Sequence, residues 1–414
     1  MSEPVDRRYG PAPLPQPRGP LSVAVTTALR RPPHDLPPGL GDDLDPVDAL
    51  TDEDLQLTLF LCYELHYRGW RGVDEGWEWQ PTLLALRARA ERPFEAALRR
   101  LAGSPPVPPD GVASGLAEIV EADDGPPLAR TLQRRADLAQ FREFAAHRSV
   151  YHLREADPHS WALPRLGGPA KAALVEIQTD EYGNGRLDRM HAELFRRTLD
   201  RLGMDTGYGA HLDAVPAVTL ATNNLMSLFG LHRRLRGALL GHLAAFEMTS
   251  SLPNRRYGNG LRRLGLDEVA TRFYDEHVEA DAVHEQIAAH DLCGGLVRVE
   301  PALAPDVLFG AAAALAVDRL FAAHLLDSWA AGRSSLRSPA PTPAALAAPT
   351  LGGLAAPTLG GLAAPTLGGL AAPTPGALAA PASTAPAAPD APTSIPLAAA
   401  DVAPLALPAE PAAA

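Results

Sequence analysis

The chain contains 414 residues with a formal net charge of −12, and it has only two cysteines, Cys62 and Cys293. An acidic chain gains nothing from the counterion release that drives general nucleic-acid binding, so we expect no DNA or RNA partner. Two cysteines without a CxxC motif exclude a disulfide framework and are typical of a reducing cytoplasm. We find no apolar signal segment and no uncharged apolar run of membrane-spanning length before the tail, so we predict a cytoplasmic protein without a membrane partner.

Both ends of the chain are rich in proline and poor in aromatic residues. Residues 1–48 show no regular periodicity and are predicted to be disordered. From Leu346 the unit LAAPTLGG repeats three times in tandem before it degrades into a Pro/Ala tail. Because each unit carries a proline and a glycine pair, which interrupt helices and strands alike, residues 336–414 are predicted to form a disordered tail. The folded domain is therefore predicted to span residues 49–335.

Between these ends, apolar residues recur with the spacing of amphipathic helices. In chain order the helical segments begin with DEDLQLTLFLCYELHYRGW, WQPTLLALRARAERPFEAALRRLAG, LARTLQRRADLAQFREFAAHRSVYHLREA and RLDRMHAELFRRTLDRLGM. They continue with NNLMSLFGLHRRLRGALLGHLAAFEMTS, GLDEVATRFYDEHVEADAVHEQIAAHDL and DVLFGAAAALAVDRLFAAHLLDSWAAG. No segment alternates with a period of two for long enough to indicate a sheet. The predicted fold class is all-α, a helical bundle.

One of these helices contains YDEHVEADAVHEQ, which places His277, Asp281 and His284 at positions i, i+4 and i+7. At 100° per residue the three side chains fall within an arc of about 60° on one helical face. Two imidazoles and a carboxylate on one face suit Fe(II), Mn(II) or Zn(II). The same spacing also fits an ordinary solvated face of a charged helix, so this segment alone leaves both interpretations open.

Three other segments carry residues that would complete a metal site. Glu155 ends the apolar segment before ADPHSW, and Glu247 is the one acid in the apolar stretch LLGHLAAFEMTS. A lone carboxylate among apolar residues is costly to bury unless it is paired or coordinates a cation. Glu181 and His191 flank a GNG sequence that begins at Gly183. An unbroken helix would hold these two side chains about 80° apart, so the break has to help bring them together.

Taken together, these residues resemble the ligand set of the heme-oxygenase-like diiron oxidases and oxygenases, the iron-containing redox enzyme family. That family uses a first-helix Glu, an E-x9-H pair, a further Glu and an H-x3-D-x2-H helix. The segments FLCYELHYRGW, EADPHSWALPRL and DEYGNG are also similar to the family, and the similarity covers about Leu55 to Ala331. The resemblance implies a heme-oxygenase-like helical bundle with seven metal ligands: Glu155, Glu181, His191, Glu247, His277, Asp281 and His284.

The resemblance also implies the cofactor and the roles of these ligands. Two iron ions, cycling between Fe2+ and Fe3+, would react with O2 as co-substrate. Glu181 would be the bridging carboxylate, and Glu247 would be an extra carboxylate that enters the site as the irons are oxidised, so these two are the predicted catalytic residues. The other ligands would divide into two sets: His191 with His284, and Glu155 with His277 and Asp281.

The implied function is an O2-activating non-heme diiron oxidase or oxygenase. It would act on a small amine- or amino-acid-like metabolite of secondary metabolism, by N-oxygenation or by oxidative C–C cleavage. Such an enzyme needs a small-molecule substrate and an external electron donor, and homodimer formation stays open.

Two alternative functions remain. A ferritin-like diiron protein would carry two E-x-x-H motifs, whereas this chain has D-x-x-H pairs at Asp188 and Asp281. A non-enzymatic helical scaffold, whose tail binds partners, would leave the acids and histidines scattered over its surface.

Overall fold

The computed structural model describes residues 6–44 and 46–337, apart from the side chains of residues 279–283. Its α-helices, in chain order, are α1 (Pro20–Leu29), α2 (Glu53–Glu64), α3 (Pro81–Ala102), α4 (Val112–Glu121), α5 (Leu128–Arg134), α6 (Leu138–His152), α7 (Asp157–Ser160), α8 (Gly168–Glu181), α9 (His191–Arg201), α10 (Ala217–Leu231), α11 (Arg236–Arg263), α12 (Glu268–Gln286), α13 (Gly294–Val299) and α14 (Ala304–Ala330). Strand-like pairing within the described residues is limited to one isolated bridge between Ala12 and Trp70. The predicted all-α class is confirmed, while the LAAPTLGG repeats lie outside the described residues.

The N-terminal segment is ordered where the structure describes it, so the prediction of disorder is wrong for residues 6–44. Helix α1 buries Leu21 and Val25, which are four residues apart, a helical spacing that the proline-rich composition conceals. The Asp54 carboxylate accepts hydrogen bonds from the backbone N–H groups of Leu21 and Ser22, at 2.8 and 2.7 Å. This carboxylate satisfies the free N–H groups at the start of α1 and joins α1 to α2.

Glycine allows the two longest described helices, α11 and α14, to cross closely. A Cβ atom on Gly241 of α11 would collide with the backbone of Val307, and one on Gly310 of α14 would collide with the backbone of Ala238. No other residue type would permit this separation of the two backbones. Helix α11 also packs against α12, so this crossing fixes two of the helices that carry predicted ligands relative to α14.

Helix α14 and the turn before it form a long apolar segment. Of the described residues, Pro301–Ala330 is the one segment long and apolar enough to cross a membrane. However, 72% of its most apolar window is buried inside the protein. A helix that is apolar all round and covered on most sides is usual at the core of a large helical bundle.

Candidate metal centre

Six of the seven predicted ligands have described side chains, and all six converge. They come from the turn after α6, the end of α8, the start of α9, the middle of α11 and one face of α12: Glu155, Glu181, His191, Glu247, then His277 and His284. A solvated polar face would not bring residues from five separate elements together. The structure therefore favours a binding site over the alternative of an ordinary charged helix.

The six side chains form two groups that share one carboxylate. In the first group, ligand atoms of Glu155, Glu181, His191 and His277 all lie within 4.8 Å of one another. In the second group, ligand atoms of Glu181, Glu247 and His284 meet the same limit. Because Glu181 belongs to both groups, its carboxylate lies between two places that can each hold a cation.

This grouping differs from the division that the family resemblance implies. We expect His191 to share an iron with His284, but its imidazole lies with Glu155 and His277. The ring centroids of His191 and His277 are 4.4 Å apart. The connection between α8 and α9 directs His191 to the part of α12 that carries His277, about two turns from His284. The side chain of Asp281 lies outside the described residues, so its role as a ligand stays a prediction.

The connection between α8 and α9 explains the E-x9-H spacing. Gly183 and Asn184 adopt the left-handed backbone conformation, with φ angles of 62° and 55°. Glycine and asparagine tolerate this conformation best. The turn ends α8 directly after Glu181, and α9 begins at His191. As a result, Nδ1 of His191 lies 3.1 Å from Oε2 of Glu181.

The ligand atoms are buried, and several of them lack hydrogen-bond partners. Glu155 and His277 are each 7% exposed, and His284 is 1% exposed. Among the described residues, Glu155 Oε2, His191 Nδ1 and His284 Nδ1 are buried without a hydrogen bond; His191 contacts Glu181, but not in hydrogen-bonding geometry. Unpaired buried polar atoms are costly. Carboxylate oxygen and imidazole nitrogen both bind iron, so these residues fit a metal that would satisfy all three atoms.

Protons balance the charge of the metal-free site. Burial alone would raise the pKa of Glu155, but the neighbouring histidines, His152 foremost, hold it well below its usual range. Burial alone would lower the pKa of His284, but its contacts with the carboxylates of Glu247 and Asp180 raise it to about 9. Histidine has to lose its proton before it binds a metal, so protons and metal ions compete for this site.

Two side chains outside the predicted ligand set hold ligands in place. His152 Nδ1 lies 2.9 Å from Glu155 Oε1, and Asp180 Oδ2 lies 3.1 Å from His284 Nε2. Partners of this kind orient metal-binding groups and fix the tautomer of an imidazole. His152 stands three residues before Glu155. Side chains at this spacing are often neighbours, so the sequence alone could have indicated this contact.

Helix α12 is positioned at both ends of its ligand-bearing face. Nδ1 of His277 donates a 2.8 Å hydrogen bond to the carbonyl of Phe273, which leaves Nε2 to face Glu155 at 3.6 Å. Beyond His284 the helix continues as a π-helical segment, Ile287–Cys293, that packs against α8. Since π-helical turns are frequent at functional sites, we interpret this one as holding α12 against the helix that carries Glu181.

A cavity of about 160 Å³ adjoins the ligands. Glu155, Glu181, Glu247 and His277 contribute to its wall, and much of the remaining wall is aromatic or aliphatic, including Phe144. Small-molecule sites have this character, with a few convergent polar groups in an apolar enclosure. A small substrate bound there would lie directly beside the metal-binding residues.

Comparisons with known proteins agree with this site. Residues 142–319, which include all seven predicted ligands, match the family model described as iron-containing redox enzyme. The chain is also similar to a nitrosourea synthase from Streptomyces achromogenes subsp. streptozoticus, with 29% identity over 161 residues. That match covers 38% of this chain and 34% of the relative, so it spans about a third of the relative's length. Over residues 142–319 the chain is therefore similar to the iron-containing redox enzyme family, and this similarity supports an oxidoreductase with an all-α, heme-oxygenase-like fold.

Proposed function

We propose that this protein is an O2-activating non-heme diiron oxidase or oxygenase. The observation that carries the proposal is the position of Glu181, whose carboxylate belongs to both groups of ligand atoms. A single metal ion would need only one such group. A carboxylate shared between two sets of donors instead supports a pair of metal ions, because it can bind both and offset the charge of each.

The charge of the site also supports two cations. Glu155, Glu181 and Glu247 supply three carboxylates, and Asp281 is proposed as the fourth. Two Fe(II) ions carry four positive charges, which these four carboxylates would neutralise, with Glu247 acting by its proximity before it binds the metal. Unbalanced charge of either sign is costly in a buried site, so two divalent ions suit this donor set better than one.

The chemistry divides between the metal and the chain. When bound, the irons would supply the electrons and open coordination positions for O2. Glu181 would hold the two metal positions beside each other, and the hydrogen bond from His277 to Phe273 would fix the His277 ring with Nε2 toward the metal. Glu247 is proposed to change its contacts with the site when the irons are oxidised.

The proposed substrate is a small amine- or amino-acid-like metabolite of secondary metabolism. The similar protein is named a nitrosourea synthase, and a nitrosourea carries an oxidised nitrogen. This chemistry favours N-oxygenation over oxidative C–C cleavage for the present chain. An external electron donor is proposed to reduce the irons between turnovers.

The two alternative functions explain fewer of the observations. A scaffold would not require buried carboxylate and imidazole atoms that lack hydrogen bonds, and the match of residues 142–319 to an iron-containing redox enzyme family supports an enzyme. A ferritin-like protein would use E-x-x-H motifs, whereas the first group here takes Glu181 and His191 across a turn.

The test is to load the purified chain with Fe(II) without oxygen and then to add isotopically labelled O2 together with amines and amino acids. Optical and Mössbauer spectra follow the iron, and mass spectrometry follows the label. We expect rapid oxidation of the iron and transfer of labelled oxygen to a nitrogen of the substrate. His277→Ala should abolish both, whereas Glu176→Ala, an exposed residue of α8, should abolish neither. Iron that stays reduced in the wild-type protein would contradict the proposal.

A further inference from the structure

The cavity beside the metal-binding residues extends well beyond them. Its wall is formed by α6, α11, α12 and α14. On α11 the lining residues run from Glu247, in the second ligand group, to Tyr257. These two residues are ten positions apart in one continuous helix, which corresponds to about 15 Å. On α6 the wall runs back from His152, which contacts the ligand Glu155, to Arg148, a distance of about 6 Å by the same rise per residue.

An ion pair forms the more exposed part of the cavity wall. Arg148 of α6 and Asp318 of α14 both line the cavity, and their side chains form an ion pair at 2.9 Å. The Arg148 side chain is 20% exposed and that of Asp318 is 43% exposed, which places the pair at the open end. The guanidinium lies over the ring of Phe321 at 4.4 Å, and this stacking contact holds the guanidinium in place.

A second polar group lines the same cavity. Tyr274 is 1% exposed, and its hydroxyl has no hydrogen-bond partner among the described residues. It lies on α12 about one turn before the ligand His277, and it shares the cavity wall with Arg148. A buried hydroxyl without a partner is costly, and a polar ligand in the cavity would supply that partner.

We propose that Arg148 and Asp318 bind the α-carboxylate and α-ammonium groups of an amino acid whose nitrogen-bearing side chain reaches the metal-binding residues. This inference rests on the proposed function, because it assigns the substrate of the same site. Arg148 presents the planar donor fork that matches a carboxylate, and Asp318 accepts from an ammonium group. A zwitterion replaces each partner of the existing ion pair with a group of the same charge, so neither side chain loses its counter-charge.

The distance to the ligands selects a long side chain. Six bonds separate the carboxylate carbon of lysine from its terminal nitrogen, which extends about 7 Å. A charge-assisted hydrogen bond to Arg148 adds about 2.8 Å. The sum of about 10 Å exceeds the rise of about 6 Å from Arg148 to His152 on α6, beyond which Glu155 lies, whereas a short amino acid such as alanine would end before the ligands.

The experiment measures equilibrium binding by calorimetry to the full chain, both metal-free and loaded with Fe(II) under nitrogen. The probes are lysine and arginine, their decarboxylated counterparts cadaverine and agmatine, and ε-aminocaproate, which lacks the α-amino group. Arg148→Lys keeps the charge and removes the fork, and Asp318→Asn keeps the shape and removes the charge. Arg319→Ala is the matched control, because Arg319 is the next residue on α14 but pairs with Asp123.

We expect the wild-type protein to bind at least one of the two amino acids more tightly than its decarboxylated counterpart. Arg148→Lys should weaken amino-acid binding about tenfold and leave cadaverine and agmatine nearly unchanged, because it removes one of the two parallel hydrogen bonds that a guanidinium donates to a carboxylate. Asp318→Asn should weaken the amino acids and spare ε-aminocaproate, and Arg319→Ala should change nothing. No amino-acid binding to the wild type, or variants that weaken all probes equally or none, would overturn the inference.

Measurements on the metal-free protein separate this inference from the proposed function. Binding that depends on Arg148 in a protein whose iron does not react with O2 would support the amino-acid site and contradict the diiron chemistry. Conversely, O2-dependent oxidation of a substrate whose binding ignores Arg148 and Asp318 would keep the proposed function and overturn the inference.

Discussion

Nδ1 of His191 lies 3.1 Å from Oε2 of Glu181, although a turn separates the helices that carry them. The two residues meet because the backbone at Gly183 and Asn184 enters the left-handed region. The local geometry of this turn therefore determines which ligands form the first group.

Substitution of the two glycines in this turn should have unequal effects. Both have positive φ, but a Cβ atom on Gly183 would lie 2.5 Å from the backbone carbon of Arg189, whereas one on Gly185 would meet nothing within 4 Å. Gly185→Ala should cost about 1–2 kcal/mol of unfolding free energy through backbone strain alone. Gly183→Ala should cost clearly more and should also weaken iron binding. Urea unfolding and iron titration measure both effects, and equal losses for the two variants would show that the turn does not position His191.

Glu247 is predicted to act in the reaction with O2. Its Oε2 lies 3.4 Å from His284 Nδ1, and it is the one acid in an apolar part of α11. Glu247→Ala should still bind iron in the reduced protein, because the remaining donors persist, but it should react abnormally with O2 or lose turnover. Stopped-flow absorbance after mixing with O2 measures this, with Glu176→Ala as the control. Kinetics identical to those of the wild type would remove Glu247 from the site.

The stability of the protein should fall below about pH 6.5 partly because of His147. Burial holds the pKa of this histidine well below its ordinary value, and its ring contacts Thr219 Oγ1 at 2.6 Å and Ser335 Oγ at 3.1 Å. Below about pH 6.5 the unfolded chain takes up a proton at this position and the folded chain does not, so stability is lost as pH falls. One such group contributes about 1.4 kcal/mol per pH unit.

Urea unfolding at pH 7 and pH 5 tests this prediction. His147→Gln keeps a hydrogen-bonding group but does not titrate, so it should lose less stability than the wild type between the two pH values. The difference reports His147 alone, because the other buried histidines, among them His159 and His242, are the same in both proteins. An unchanged pH dependence in the variant would contradict a neutral, buried His147.

We predict that the C-terminal tail can be removed after residue 337 but not after residue 333. Ser335 donates hydrogen bonds from its backbone N–H and its hydroxyl to Glu143, at 2.8 and 2.7 Å. Arg337 donates from its backbone to the carbonyl of Ala214 at 2.7 Å. A chain that ends at residue 337 should keep the melting temperature and O2 reactivity of the full chain.

A chain that ends at residue 333 is the matched comparison. It loses these hydrogen bonds and leaves the half-buried Glu143 with a single hydrogen bond, from Trp329, so it should lose roughly 2 kcal/mol of stability and several degrees of melting temperature. Differential scanning calorimetry separates the two truncations. A large loss already at residue 337 would show that the repeats contribute to the stability of the folded domain.

Several of the predicted ligands could be selected from the sequence because they break local rules. Glu247 is a lone acid among apolar residues, and His277 and His284 share one helical face, so each is conspicuous without a structure. The assignment of His191 to the first group could not be predicted, because it depends on φ angles in a turn rather than on spacing. Asp180 was equally hidden, since an exposed acid on a charged helix gives no sign that it contacts His284.

The fold, like the site, could be predicted only in part. The helical class followed from periodicity alone, because apolar residues spaced for one helical face recur throughout residues 49–335. Helix α1 was missed because its two turns of apolar spacing lie between prolines and find their stabilising partner, Asp54, on another helix. Contacts of that kind between elements are not encoded in the local pattern.

The central claim is that two irons share Glu181, and the iron content of matched variants tests it most directly. After anaerobic loading and removal of excess metal, the account predicts about two irons per chain for the wild type, about one for His284→Ala, and less than one for Glu181→Ala, with all three proteins folded by circular dichroism. One iron per chain in the wild type, or two in Glu181→Ala, would contradict a diiron centre built on this carboxylate.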